Sequence, residues 1–464
     1  MSNNVNLKKA GTFYLIGTLF NKGIGFVTTP IFTRILSKAD YGTITTYNSW
    51  VSMLSIVFSL ALYMGIRAAF VDYSGKEQDV CSTVTTFNLI YGAVITGVAI
   101  IVINVLPVDI DPRVLVCCLV QSVMMAVIEN YLIYLMMTYN YKLRTAFMIL
   151  PNLIATLVSI GLILLVFDKE QFLGRIYAST IMHIIFASFA IVLIYKKSRV
   201  WNKQYLTYCL RISLPLVLHG ISLSILSQSD RTMITSIRNN EETALYGLVY
   251  NYSMIATVLT TAFDGIWIPW FTQRMKDKEY DSINKISQKY IGVVAVLLSM
   301  VVLVGPEVVK ILAPKSYWES IVIIPALVFS NFIIFAYTFY VNVEHFYKKT
   351  GFISINTCIA AASNILLNVF FIKWFGYKGA AYTTLISYVI SLILHMLYSK
   401  KLNREVFPVR NFIFPCATIV GCLVVFYLFM NILWVRWLVA IAIMALIVYL
   451  ERNTILSYFK KGKR

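Results

Sequence analysis

The chain has 464 residues, of which 59% are hydrophobic and 13% charged. Soluble domains carry about a quarter charged residues, so this composition excludes a soluble globular protein, and its apolar content excludes disorder. Lipid remains as the solvent, and 464 residues leave room for a dozen or more spans of about 20 residues each. The net charge is +19. Basic loops that fix a membrane protein's orientation account for it. Nucleic-acid binding is not expected, because the aromatics lie inside apolar runs instead of on a basic platform.

Fourteen helical spans are predicted, at 12–34, 42–66, 80–105, 114–139, 146–167, 174–195, 208–235, 244–270, 287–305, 318–345, 351–373, 378–398, 411–430 and 434–450. The last two runs decide between 12 and 14. A barrel would need alternating polar residues that these runs lack. No cleavable signal peptide is expected. The first run starts near Thr12, is interrupted by Lys22 and lacks a small-residue cleavage site. The seven cysteines, Cys81, Cys117, Cys118, Cys209, Cys358, Cys416 and Cys422, form no C-x-x-C pair and have no histidine at zinc-ligand spacing. They read as small apolar residues, and neither a metal nor a cofactor is expected.

Lys and Arg set the orientation. With the N-terminus in the cytoplasm, 27 of the 40 fall in inner segments, 12 in outer ones, and Lys22 lies mid-span. Both termini are then cytoplasmic and the span number is even. Most tryptophans, Trp267, Trp270, Trp374 and Trp434 among them, fall near span ends, where an amphipathic ring is favoured.

Three landmarks repeat at one offset of 205 residues. Tyr41-Gly42 returns as Tyr246-Gly247, Arg144-Thr145-x-Phe147 as Lys349-Thr350-x-Phe352, and Gly174 with Tyr177 as Gly379 with Tyr382. Each pair falls at the same boundary of a six-span block. The chain therefore reads as an all-α polytopic protein of two six-helix lobes, 1–205 and 206–405, followed by 406–464 with two additional helices and a basic tail. Six is even, so the copies are parallel, an arrangement associated with alternating access.

The stretch from Pro30 through Arg34 to Tyr41-Gly42, and the run Gly379-Ala-Ala-Tyr382, resemble Wzx-type polysaccharide and O-antigen flippases. That family lies in the multidrug/oligosaccharidyl-lipid/polysaccharide exporter superfamily, beside the lipid II flippase and the MATE drug exporters. The resemblance implies a MATE-like, V-shaped pair of lobes in the bacterial inner membrane. It implies transfer of an undecaprenyl-pyrophosphate-linked oligosaccharide, an O-antigen or similar repeat unit, from the cytoplasmic to the periplasmic leaflet. It also implies a glycan polymerase as a pathway partner that no sequence feature marks; coupling to a proton or sodium gradient is an expectation that rests on intramembrane acids.

An anionic pyrophosphate calls for cations on a polar path. Lys22, about ten residues from either end of span 1, is the first candidate. It either meets the phosphate or pairs with an intramembrane carboxylate. Arg231 is a candidate for glycan or phosphate, with Asp230 coupling to an ion; the alternative is an interfacial pair. His219, eleven residues earlier, titrates near neutral pH or serves as a hydrogen-bonding residue. Glu129 and Asp264, in the cytoplasmic halves of spans 4 and 8, are further ion-coupling candidates or partners of Lys22. Arg34, Arg67 and Arg274, at span ends, are substrate-binding candidates or interface anchors. Tyr63, Tyr131, Tyr134, Tyr250 and Tyr252 either line a sugar path or pack the bundle.

No Walker, H-E-x-x-H or G-x-S-x-G motif occurs, so no catalytic residue is expected. A membrane glycan polymerase is disfavoured by the absence of a large outer loop. A MATE-like proton- or sodium-coupled multidrug exporter is the closer alternative, and a central Lys22 would repel its cationic substrates.

Overall fold

In the computed structural model the backbone is described for residues 7–105 and 110–450. Side chains are described for all of these except 7–10, 14, 15, 22, 104, 262–266 and 446–450. The described elements are helical: α1 (Leu7–Ile35), α2 (Lys38–Ser59), α3 (Leu62–Asp72), α4 (Glu77–Val105), α5 (Pro112–Met137), α6 (Tyr141–Leu165), α7 (Phe172–Lys197), α8 (Lys203–Ile237), α9 (Asn240–Lys276) and α10 (Tyr280–Leu312). A 3-10 segment (Lys315–Ile323) leads into α11 (Ile324–Phe346), followed by α12 (Thr350–Phe375), α13 (Tyr377–Leu402), α14 (Arg410–Leu428) and α15 (Leu433–Leu450).

Each of the fourteen places read from the sequence holds helix. Among the described residues ten helices are long and apolar enough to cross a membrane, or eleven when the bent pair α2–α3 counts as one. That is fewer than the fourteen crossings expected. The chain is a multi-pass membrane protein. Its outward faces agree: Ile181, Ile185, Phe189 and Val192 recur at helical spacing on α7, each about half exposed. Such a stripe would be costly in water and is ordinary against lipid.

The chain forms two compact units, residues 1–247 with 357–380, and residues 248–356 with 381–464. In the first, α2 packs on α5 and α8, α6 on α1 and α7, and α5 on α7. Small residues allow these approaches: Ala187 and Ala190 of α7 are fully buried beside Tyr131 and Phe147. A Cβ at Gly65 would come within 2.7 Å of Cys209, which fixes α3 against α8. In the second unit α10 packs on α11, α14 and α15. Arg436 of α15, 1% exposed, forks onto Glu307 of α10 at 2.5 and 2.8 Å. It also donates to the carbonyls of Leu303 and Phe429. That fork pins the last helix to α10.

The repeated Tyr-Gly landmarks have a packing reason. A Cβ on Gly42 would sit 1.8 Å from the Asn240 carbonyl oxygen, and one on Gly247 would sit 2.6 Å from Thr45. Each glycine lets α2 and the start of α9 approach closely, and Tyr41 and Tyr246 beside them are buried. The seven cysteines are free. Among the described residues no cluster of His, Cys, Asp or Glu could hold a metal.

Candidate functional site

The first unit concentrates intramembrane polar groups. Asp230 and Arg231 are neighbours on α8 and point in different directions, as consecutive helical residues do. Asp230, 2% exposed, accepts a hydrogen bond from the Tyr246 hydroxyl at 2.5 Å and from Asn368 Nδ2 at 2.7 Å. Asn368 also donates to Asn364, which accepts from Ser229 at 3.1 Å. The carboxylate thus meets a hydroxyl from α9 and an amide from α12. Arg231, 6% exposed, donates to Ser49 of α2 and to Gln228. Thr46, Thr235 and Thr243 continue the network through hydroxyl contacts of 2.6 and 2.7 Å. Both side chains are buried.

Below this network span 2 is broken, where the sequence reads as one continuous helix over 42–66. α2 and α3 meet at about 40°. Leu60 and Ala61 both take positive φ, 46° and 51°, a conformation that costs non-glycine residues about 1–3 kcal/mol each. Asn88 Nδ2 donates to the freed Phe58 carbonyl at 2.8 Å, and Asn130 Nδ2 donates to Asn88 Oδ1 at 2.5 Å. These amides satisfy backbone that the break exposes. Neither Leu60 nor Ala61 is a helix breaker, so the sequence held no signal for it. Half-helix termini inside a membrane are a recurring way to meet charged groups. Here the second residue of α3 is Tyr63, which lies within electrostatic reach of Glu129. One turn later stands Arg67, exposed and without an ionic partner among the described residues. Glu129 stands on α5, across from Tyr63. The structure therefore brings Tyr63, Arg67 and Glu129 to one face.

A residue the sequence reading passed over lies in the outer half. Arg175, three residues into α7, reaches Thr156 at 3.1 Å and Ser159 at 3.3 Å on α6, and covers the Phe32 ring at 5.0 Å. No carboxylate pairs with it among the described residues. Buried Gln121 sits nearby in the same unit, accepting from Tyr47 at 2.6 Å.

The other sequence candidates scatter. Lys22 and Asp264 lie on α1 and α9, and their side chains are outside the described residues. Arg34 is exposed at the end of α1 and donates to the Pro30 carbonyl. His219 is half-buried on α8, about 16 Å along the helix from Asp230 at 1.5 Å per residue. Arg274, in the second unit, pairs with Glu279 at 2.5 Å and stands over Trp270. The sequence reading passed over another buried acid, Glu344. It is fully buried on α11 and bound to His395 of α13 at 3.0 Å. Both sit close to span ends, which concealed them.

A family model for "Polysaccharide biosynthesis protein" matches residues 7–275. A Haemophilus influenzae protein described as Lsg locus putative protein 1 is 23% identical over 397 residues, covering 80% of this chain and 94% of the relative. Among solved structures, the lipid II flippase MurJ in an inward closed conformation aligns with a TM-score of 0.64 at 15% identity, over 96% of this chain and 99% of that one. An inward-facing multidrug resistance MATE family transporter of the MOP superfamily aligns with a TM-score of 0.58 at 12% identity, over 84% and 95%. These likenesses establish the fold. The family model spans more than half of the sequence, and the chain belongs to the polysaccharide biosynthesis protein family.

Proposed function

We propose that this protein moves an undecaprenyl-pyrophosphate-linked oligosaccharide from the cytoplasmic to the periplasmic leaflet of a bacterial inner membrane by alternating access. The observation that carries the reading is the cationic character of the first unit's interior. Arg175 and Arg231 sit within membrane-spanning helices, and Arg67 lies exposed beside a broken span. Intramembrane charges are costly and mark substrate paths, and guanidinium forks suit phosphate oxygens. The family match and the coverage by a flippase fold support the same reading. Both belong with transport and not with catalysis.

In this reading Arg175, Arg231 and Arg67, with Lys22 and Arg34, meet the pyrophosphate and glycan at successive depths, and the polyprenyl tail stays in lipid. The repeat supports 1–205 and 206–405 as the duplicated lobes, with 406–464 as an addition. Asp230 is the coupling site: a buried carboxylate that accepts from Tyr246 and Asn368, with Asn364 and Ser229 beside them, can exchange a proton or hold a sodium ion. Pathway enzymes, a polymerase among them, supply and consume the carrier. The neighbouring MATE fold favours a second reading, a drug exporter, and its cationic substrates meet the wrong sign of charge here.

Ligand-induced thermal stabilisation of the purified chain separates the two. Undecaprenyl pyrophosphate bearing a short glycan should raise the melting temperature, and Arg175→Ala with Arg231→Ala should reduce that shift. A shift produced by lipophilic organic cations and not by the pyrophosphate carrier would transfer the assignment to drug export.

A further inference from the structure

A second polar feature lies in the other unit, away from these arginines. Between the C-terminal halves of α9 and α11 is a cleft of about 470 Å³, within the size range of small-molecule sites. Ile268, Thr272 and Lys276 line it from one face of α9, at fourfold spacing. Thr338, Val341, Asn342 and His345 line it from one face of α11, and Lys348 follows that helix. Phe271 and Phe346 complete an apolar wall.

Thr272 and Thr338 donate back to their own helices, to the carbonyls of Ile268 and Phe335. The side chains of Lys276, Asn342, His345 and Lys348 have no hydrogen-bond or ionic partner among the described residues. Basic residues at helix C-termini are often explained by the helix dipole or by orientation alone. Neither explanation calls for a cavity with an apolar back wall, or for an unengaged amide beside the cations. Ile268 is two turns deeper than Lys276, about 12 Å at 1.5 Å per residue. The site thus grades from cationic to apolar over the depth at which a lipid passes from headgroup to chain. Both helices end on the side that the basic excess assigns to the cytoplasm. Basic pockets between spanning helices on that side are a recognised way to hold anionic headgroups.

We propose that this cleft binds an anionic phospholipid of the cytoplasmic leaflet. The phosphate lies against Lys276, Lys348, His345 and Asn342, and an acyl chain runs along Ile268, Phe271 and Val341. The chemistry is independent of the translocation reading, since it concerns a resident lipid and not the cargo.

Native mass spectrometry of the full chain in detergent, titrated with phosphatidylglycerol or with phosphatidylcholine of the same chains, tests it. One phosphatidylglycerol should be retained with preference over phosphatidylcholine. Lys276→Ala with Lys348→Ala should weaken retention by about thirtyfold, from roughly 1 kcal/mol for each lysine near the surface. Lys276→Arg with Lys348→Arg should keep it, which separates charge from fold. Equal retention in the double alanine variant would overturn the site. Displacement of phosphatidylglycerol from the wild type by equimolar undecaprenyl pyrophosphate, absent in the double alanine variant, would overturn the phospholipid assignment and give the cleft to the cargo. Displacement by inorganic pyrophosphate alone would overturn the acyl-chain contact.

Discussion

Replacing Asp230 with Asn gives the sharpest separation of a coupling role from a packing role. The carboxylate accepts from Tyr246 and Asn368 at 2.5 and 2.7 Å and is 2% exposed. Asparagine keeps one acceptor oxygen and turns an amide toward the other donor. One hydrogen bond to a charged group is lost, worth about 1.5–3 kcal/mol, and the survivor becomes a neutral bond of roughly half the strength. The variant should be destabilised by about 2–4 kcal/mol on those figures, and the site's negative charge disappears. In proteoliposomes, carrier flipping by the wild type should accelerate under an imposed sodium or proton gradient, and flipping by Asp230→Asn should not. Tyr246→Phe is the control. It removes one donor and keeps the charge, so stability should fall by about 1.5–3 kcal/mol and the gradient response should remain. An Asp230→Asn protein that folds and responds to the gradient like the wild type would refute the coupling role.

Arg436→Ala should destabilise the chain by about 3 kcal/mol, within the range for stranding one partner of a buried pair. Adding Glu307→Gln should recover part of that loss, read by thermal unfolding in detergent. Gly42→Ala drives a Cβ to 1.8 Å from the Asn240 carbonyl oxygen and should cost about 1–3 kcal/mol or more, as overpacking does. Gly97→Ala meets nothing within 4 Å and should be neutral or slightly stabilising in the same assay. Asn88→Ala withdraws the donor from the Phe58 carbonyl at the break in span 2. It should speed hydrogen exchange at residues 58–62 before the rest of the first unit. Ahead of α5, the Arg113 guanidinium holds the Asp111 carboxyl below the usual carboxylate range. The folded value is depressed, so the pair's contribution is complete above the unfolded value of about 3.9 and is lost as pH falls through the folded one. Arg113→Ala should therefore lower stability at neutral pH and match the wild type in strong acid.

Hydropathy made the helices legible, because a span long enough for lipid leaves few alternatives. The paired Tyr-Gly landmarks have a steric reason: Gly42 and Gly247 stand where another residue's atoms leave no room for a Cβ. Asp230 and Arg231 were legible as charges inside an apolar run. The break at Leu60-Ala61 was not, since its cause lies in Asn88 and Asn130 on other helices. Arg175, Glu344 and Arg436 were missed because each sits near a span end, where sequence alone does not separate an anchor from a side chain turned inward. The cleft of Lys276 and Lys348 needed two helices side by side, which no local pattern provides.

The central claim is that a pyrophosphate-linked glycan crosses the bilayer through this chain. Undecaprenyl pyrophosphate bearing a labelled oligosaccharide, placed in the inner leaflet of sealed proteoliposomes, should become accessible to an impermeant glycosidase only where the wild-type protein is present. Arg175→Ala with Arg231→Ala should slow that appearance sharply at equal protein content. Exposure of the glycan at the same rate in protein-free vesicles or in the double variant would contradict the account.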